Sequence, residues 1–167
     1  MTIPVRLHPL TPADAHEMTQ VLDDPALYEY IGGQPPTEEQ LYQQYTVQAR
    51  GQSADGTEKW INELVILEST GEAIGYVQAT VPFSGEPTEI AWVIGTPWQG
   101  QGYATQAAAL LASQLADVGV RHLVAHIHPD HAASAAVAQR LGLYPTDTAV
   151  DGEIRWEGPV SSSVGEF

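Results

Sequence analysis

Residues 89–104 read EIAWVIGTPWQGQGYA, and this stretch decides how the chain is interpreted. The apolar, β-branched run of residues 90–94 predicts a strand, and Gly95-Thr96-Pro97 predicts a turn after it. A loop with glycines at 100 and 102 follows, and an alanine- and leucine-rich helix begins directly behind it. Small residues let the backbone approach an anion, and the first amides of a helix favour negative charge. The stretch therefore predicts a phosphate- or pyrophosphate-binding site.

The chain is acidic, with 21 Asp and Glu against 6 Lys and Arg in 167 residues. A formal net charge of −15 argues against nucleic-acid binding, which needs cations to neutralise phosphates. The charge is compatible with a cationic amine substrate, although solubility is the plainer explanation. There is no cysteine, which excludes disulfides, thiolate zinc sites and a cysteine nucleophile.

Length and composition indicate one ordinary domain over residues 1–157, and the Ser- and Gly-bearing residues 158–167 are expected to form a disordered tail. No apolar run approaches the roughly 20 residues that cross a membrane. The N-terminal MTIPVRLHPL also lacks the apolar centre of a signal peptide. We therefore expect a cytoplasmic protein without a membrane partner.

The patterns along the chain predict the element order β-α-α-β-β-β-α-β-α-β-β. Consecutive strands between residues 60 and 94 predict an antiparallel meander, and the strand–helix–strand unit from the 90s to the 120s predicts a parallel pair. The fold class is therefore α/β (α+β): a mixed, mostly antiparallel sheet with helices on both faces and a central parallel pair. Residues 37–40 predict a capping box between Thr37 and Gln40, and the helix that follows is expected to bury Leu41, Tyr45 and Val47. Val118 is expected on the buried stripe of the helix after the glycine loop, and Asp130 is expected to cap the last helix.

Two nucleotide-binding motifs fail on spacing. A Rossmann fingerprint that starts at Gly100 would need glycine or alanine where Thr105 stands. A P-loop would need Gly-Lys-Ser/Thr, which the chain lacks. The glycine loop thus disfavours a dinucleotide-binding oxidoreductase, and by itself leaves the phosphate ligand open.

The loop resembles the acetyl-CoA loop Gln/Arg-x-x-Gly-x-Gly/Ala of the GNAT superfamily of N-acetyltransferases, since Gln99, Gly102 and Ala104 fit its fixed positions. Residues 128–134 with 141–143, HPDHAAS and LGL, resemble the second CoA-binding region of that family. Residues 6–14 resemble the branch that contains the ribosomal-protein alanine N-acetyltransferases, and the likeness covers about residues 3–157. The chain departs from the family pattern at His131, where that branch usually has asparagine, and at Ala138, where other branches carry a tyrosine that acts as general acid.

The resemblance implies a GNAT-like single domain that uses acetyl-CoA as acyl donor, needs no metal and acetylates a primary amine. The amine would belong to a protein N-terminus or to a small molecule such as an antibiotic or a polyamine. Because the chain has no cysteine, direct attack in a ternary complex is the expected mechanism. A non-catalytic acyl-CoA-binding module is the alternative.

Glu89 is the candidate base, because the family often places a catalytic glutamate at the start of this strand; the alternative is a solvated charge. Ser134 is a candidate proton donor or CoA contact. His126, His128 and His131 with Asp130 could suggest a metal ligand set, but the resemblance requires no metal. His131 lies in the second CoA-binding region and is expected to contact CoA or the pocket; the alternative is that these are ordinary polar residues at a strand end. The expected cofactor-binding residues are Trp92, Val93, Ile94, Gln99, Gly100, Gln101, Gly102, Tyr103, Ala104, Thr105, His131 and Ser134. The irregular aromatic segment 26–36 is either a packed loop or a substrate-pocket wall, and the expected wall residues are Tyr28, Tyr30 and Ile31.

Overall fold

The computed structural model describes residues 3–160, and within them the predicted order of elements is confirmed. The strands are β1 (Val5–Pro9), β2 (Glu58–Leu67), β3 (Ala73–Pro82), β4 (Thr88–Ile94), β5 (His122–Ile127), β6 (Tyr144–Val150) and β7 (Glu153–Pro159). The α-helices are α1 (Ala15–Val21), α2 (Glu38–Gln48), α3 (Tyr103–Asp117) and α4 (Ala132–Arg140). β7 continues two residues past the predicted domain boundary at 157, because Leu123 and His122 of β5 pair with Gly158 and Pro159. Residues 161–167 of the expected tail lie outside the described residues.

The strands form one mixed sheet in the order β1-β2-β3-β4-β5-β7-β6. The pairs β1–β2, β2–β3 and β3–β4 are antiparallel, as are β5–β7 and β7–β6, and β4 and β5 form the central parallel pair. α3 connects these two strands, as expected for a parallel crossover. The predicted fold class, a mostly antiparallel sheet with one parallel pair, is therefore confirmed.

Helices cover both faces of this sheet. The buried stripe of α3, with Ala107, Leu111 and Leu115, packs in one core cluster with side chains of β3, β4 and β5. Met18 of α1 and Leu41 of α2 pack in a second cluster against β2 and β3. Burial of such side chains contributes roughly 1.5–3 kcal/mol each, so two amphipathic layers hold the sheet between them.

The helix ends confirm some predicted caps and correct others. Thr37 and Gln40 form the predicted capping box of α2: Gln40 N–H donates to Thr37 Oγ1 (3.1 Å) and Thr37 N–H to Gln40 Oε1 (2.9 Å). The prediction that Asp130 caps the last helix is wrong, because the N-cap of α4 is His131, whose side chain makes no capping hydrogen bond.

The expected burial of Val47 and Val118 is also wrong, since both side chains are exposed. Val47 follows the buried Tyr45 by two residues, which places it about 200° around the helix. Val118 is the C-cap of α3 and no longer follows the helical path. Apolar periodicity therefore identified each stripe correctly but extended it past the residues that the core reaches.

Leu111→Ala should lower the free energy of unfolding by about 2–5 kcal/mol, because Leu111 is fully buried between α3 and the sheet. The adjacent Leu110 is 39% exposed, so Leu110→Ala should change stability by only about 0.5 kcal/mol. Urea unfolding followed by circular dichroism measures both. Equal losses in the two variants would contradict the assignment of this helix face.

Candidate active site

The parallel strands β4 and β5 separate after two residues. Their pairing is limited to Thr88 with Leu123 and Glu89 with Val124. On its other side β4 stays paired with β3 as far as Ile94, which lies opposite Gly75. Residues 90–94 therefore present an edge toward β5 to which no strand of the described chain is paired.

The direction of the backbone groups along this edge follows from the pairing with β3. The Val93 carbonyl points at β3, since a Cβ added at Gly75 would clash with its oxygen, and Gly95 N–H donates to Ile74 O (2.7 Å). Because alternate residues of a strand direct their backbone groups to opposite sides, those of Trp92 and Ile94 face the opening. The backbone of Val93, which was expected to contact the cofactor, is directed into the sheet.

The glycine loop joins this edge to the start of α3. Gln99 Nε2 donates to the Ile94 carbonyl (2.9 Å) and so ties the loop to the end of β4. Gly100 and Gly102 have φ angles of 78° and 86°, in the left-handed region that favours glycine. Gly102 is the N-cap, and the first helical bond runs from Gln106 N–H to Gly102 O (3.1 Å). The amides before Gln106 therefore have no partner within the helix and lie where an anion could accept from them.

Glu89 lies at the point where β4 and β5 separate, and His126 of β5 is its neighbour. His126 Nδ1 lies 2.9 Å from Glu89 Oε2, while the two side chains are 22% and 58% exposed. The arrangement fixes a carboxylate beside an imidazole at the mouth of the opening. The sequence indicated a metal ligand or an ordinary polar residue at position 126, and did not indicate the contact with Glu89, because the register that creates it is set by a parallel pair 35 residues apart.

The start of α4 forms a second cluster around His131. Ser134 Oγ lies 3.4 Å from His131 Nε2, and the Tyr30 ring stacks on His131 with centroids 4.7 Å apart. Tyr30 also contacts the His128 ring at 5.1 Å. Burial, and secondarily the nearby His128, lowers the pKa of His131. The His131 ring is therefore neutral at physiological pH, so that one ring nitrogen can accept a hydrogen bond.

The three residues predicted for the substrate wall do not converge on one place. Tyr28 lines a cavity beneath α2 and donates to Leu22 O (3.2 Å). Tyr30 lies against His131, and Ile31 is exposed. Within residues 3–160 no group of three or more His, Asp or Glu side chains could hold a metal ion.

Ala138, at the position where other branches of the family carry a tyrosine, is fully buried in the core beneath α4. The residue thus contributes packing and offers no hydroxyl to a ligand. Ala138 therefore cannot serve as a proton donor.

A family model described as the acetyltransferase (GNAT) domain matches residues 5–144. The chain belongs to the GNAT acetyltransferase family. The sequence-based interpretation as an acyltransferase of the N-acetyltransferase type is thereby confirmed, together with the fold. No curated protein sequence matches the chain significantly.

Solved structures share this fold across nearly the whole chain. An acetyltransferase from Thermus thermophilus is 24% identical, covers 96% of this chain and 100% of its own, and superposes with a TM-score of 0.76. RimL, a ribosomal L7/L12 alpha-N-protein acetyltransferase in complex with coenzyme A, is 18% identical with a TM-score of 0.77, over 98% of this chain and 100% of its own. The aminoglycoside acetyltransferase AAC(6')-Ib in complex with coenzyme A is 20% identical with a TM-score of 0.75, over 93% of this chain and 95% of its own.

None of the helices in residues 3–160 is both long and apolar enough to cross a membrane.

Proposed function

We propose that the protein transfers an acetyl group from acetyl-CoA to a primary amine by direct attack of the amine. One observation carries this proposal: the unpaired edge of β4 at Trp92 and Ile94 lies next to the glycine loop that begins α3. An extended chain that ends in a pyrophosphate needs both features, an edge that pairs with its amides and a set of amides that binds its charge.

The residues of the loop fit that pyrophosphate. A Cβ at Gly100 would meet nothing within 4 Å, so this part of the loop is open to an approaching ligand. The amides from Gln101 to Thr105 would hold the phosphates, and the backbone of Trp92 and the Ile94 amide would pair with the pantetheine arm. Ser134 and His131, at the start of α4, would contact the same ligand from the opposite side of the opening.

The chemistry that acetyl-CoA supplies is an activated acyl group, and the protein has to manage protons and charge around it. An alkyl amine has a pKa near that of lysine, about 10.4, and a peptide α-amino group has one of about 7.7–8.0, so either arrives mostly protonated at pH 7 and must lose a proton before it attacks. Glu89 would accept that proton, directly or through a water, with His126 holding the carboxylate in place. The Trp92 or Ile94 amide would donate to the carbonyl oxygen as negative charge develops there. Ser134, beside the neutral His131, is the proposed proton donor to the departing thiolate.

A release assay for free CoA tests the proposal directly. We expect thiol release when acetyl-CoA is mixed with the protein and at least one member of a panel of primary amines. We also expect acetyl-CoA, and not NAD, to raise the melting temperature. Stabilisation by acetyl-CoA without release for any amine would support the alternative of a non-catalytic acyl-CoA-binding module. Stabilisation by NAD alone would overturn the proposal. A cytoplasmic location stays a prediction from the sequence.

A further inference from the structure

A cavity of ≈ 160 Å³ lies between α2, the segment before it and the face of β2 and β3. Its polar lining consists of the tyrosines Tyr28, Tyr45 and Tyr76, of Asn62 and Gln78 from the sheet, and of glutamines from α2 and the preceding segment. No Asp, Glu, Lys, Arg or His is among the described residues that line it. In a chain with 21 acidic residues, this is an uncharged but strongly hydrogen-bonding compartment.

Tyr45 lines this compartment, and its hydroxyl has no hydrogen-bond partner. Tyr45 is 2% exposed. Among the buried side-chain polar atoms of residues 3–160, its hydroxyl oxygen is the one that makes no hydrogen bond. Burial raises the pKa of Tyr45, and it raises the pKa of Tyr76 to about 12, so both hydroxyls stay protonated at physiological pH. A buried donor without a partner is unfavourable until a ligand group accepts from it.

The side-chain amides of Asn62 and Gln78 in the cavity are joined by one long hydrogen bond. Gln78 Nε2 donates to Asn62 Oδ1 at 3.4 Å, the long end of the range for a hydrogen bond. The other two side-chain amide atoms, Gln78 Oε1 and Asn62 Nδ2, take no part in that bond. The lining therefore offers donors and acceptors together, which is the pattern that complements an amide.

The cavity shares a sheet face with the candidate base. Tyr76, Gln78 and Thr80 alternate along β3 opposite Val93, Ala91 and Glu89 of β4. Gln78 is thus the diagonal neighbour of Glu89, and such neighbours are about 7–8 Å apart. A molecule with its amine at Glu89 could reach the cavity with a short spacer.

We infer that this cavity receives an uncharged group of the acceptor that both donates and accepts hydrogen bonds, such as an amide, and this inference rests on the proposed function. An ammonium group would enter without a carboxylate to pair with, and burying an unpaired charge is strongly unfavourable. An alkyl group would fill the space but leave the Tyr45 hydroxyl unpaired. The lining thus selects an amide-bearing amine over a polycationic amine, even though the surface of the protein is acidic.

A series of amines with one spacer length and different ends tests this selection: 5-aminopentanamide, 1,5-diaminopentane, 5-aminopentanoate and hexylamine. We expect kcat/KM for the amide to exceed that of each other member by about tenfold, the effect of one well-placed hydrogen bond. Alanylalaninamide is added as a peptide that carries the same amide. Its kcat/KM should be higher than that of 5-aminopentanamide if the natural acceptor is a polypeptide N-terminus, and lower if the natural acceptor is a small molecule. A preference for the diamine or for hexylamine would overturn the inference.

Tyr45→Phe removes the hydroxyl and keeps the ring. The ratio of kcat/KM between 5-aminopentanamide and hexylamine should fall about tenfold, while the melting temperature stays equal or rises because an unpaired hydroxyl is removed. Tyr42→Phe makes the same change at an exposed position of α2 and should leave the ratio unchanged. Gln78→Met is a second cavity variant of similar shape, for use if Tyr45→Phe does not fold.

A measurement of 5-aminopentanamide binding distinguishes a failure of this inference from a failure of the proposed function. Ligand-observed NMR should detect 5-aminopentanamide on the wild-type protein in the presence of CoA, with a weaker signal for Tyr45→Phe. If no amine is acetylated but this difference persists, the proposed function fails and the cavity assignment stands. If amines are acetylated and Tyr45→Phe changes neither the ratio nor the binding signal, the cavity assignment fails and the proposed function stands.

Discussion

Glu89→Gln should lower kcat about 100-fold or more, since a positioned general base typically contributes 10²–10⁴-fold. Glutamine has nearly the shape of glutamate and keeps a polar partner for His126, which lies 2.9 Å from the carboxylate. The substitution therefore removes the ability to accept a proton while it preserves the contact between β4 and β5. Acetyl-CoA affinity should stay within about twofold, because Glu89 lies before the strand segment proposed to bind the pantetheine arm.

Glu86→Gln provides the matched control for this prediction. Glu86 is an exposed residue in the loop before β4, so the substitution makes the same change in net charge without touching the opening between β4 and β5. Steady-state CoA release gives kcat, and calorimetric titration gives the dissociation constant of acetyl-CoA. A normal kcat in Glu89→Gln, or an equal loss in both variants, would remove Glu89 as the base.

The elements and the anion-binding loop could be predicted because their causes are local. Thr37 and Gln40 form a capping box within one helical turn, and the glycines at 100 and 102 mark left-handed backbone directly in the sequence. The parallel pair followed from the length of the crossover between β4 and β5. Each of these features depends on residues close together in the chain, which is where periodicity and turn chemistry are informative.

The composition of the site could not be predicted in the same way, because it depends on register between distant segments. His126 meets Glu89 only because Glu89 pairs with Val124, and a shift of one residue would turn His126 to the other face. Tyr30 reaches His131 across about a hundred residues of chain. The helical stripe of α2 identified Tyr45 as a core residue, but no pattern in the sequence indicated that its hydroxyl would lack a partner.

Gly102→Val should weaken acetyl-CoA binding about 100-fold or more, the equivalent of losing two hydrogen bonds from amides to a charged ligand. Gly102 is the N-cap of α3 and has a φ of 86°, which a β-branched residue rarely adopts. The substitution thus introduces a side chain at the place proposed for the pyrophosphate and disturbs the amides that follow it.

Strain at a left-handed position would also lower stability, so the control has to share that strain without lying near the ligand. Gly119 terminates the same helix with a φ of 91°, and a Cβ there would meet nothing within 4 Å. Gly119→Val should therefore lose stability in the same way as Gly102→Val, by about 1–2 kcal/mol for a left-handed residue with a side chain. It should nevertheless bind acetyl-CoA with wild-type affinity in a calorimetric titration. Equal affinities in the two variants would show that the start of α3 does not bind the donor, whereas a loss confined to Gly102→Val locates the binding of its phosphates in the loop between β4 and α3.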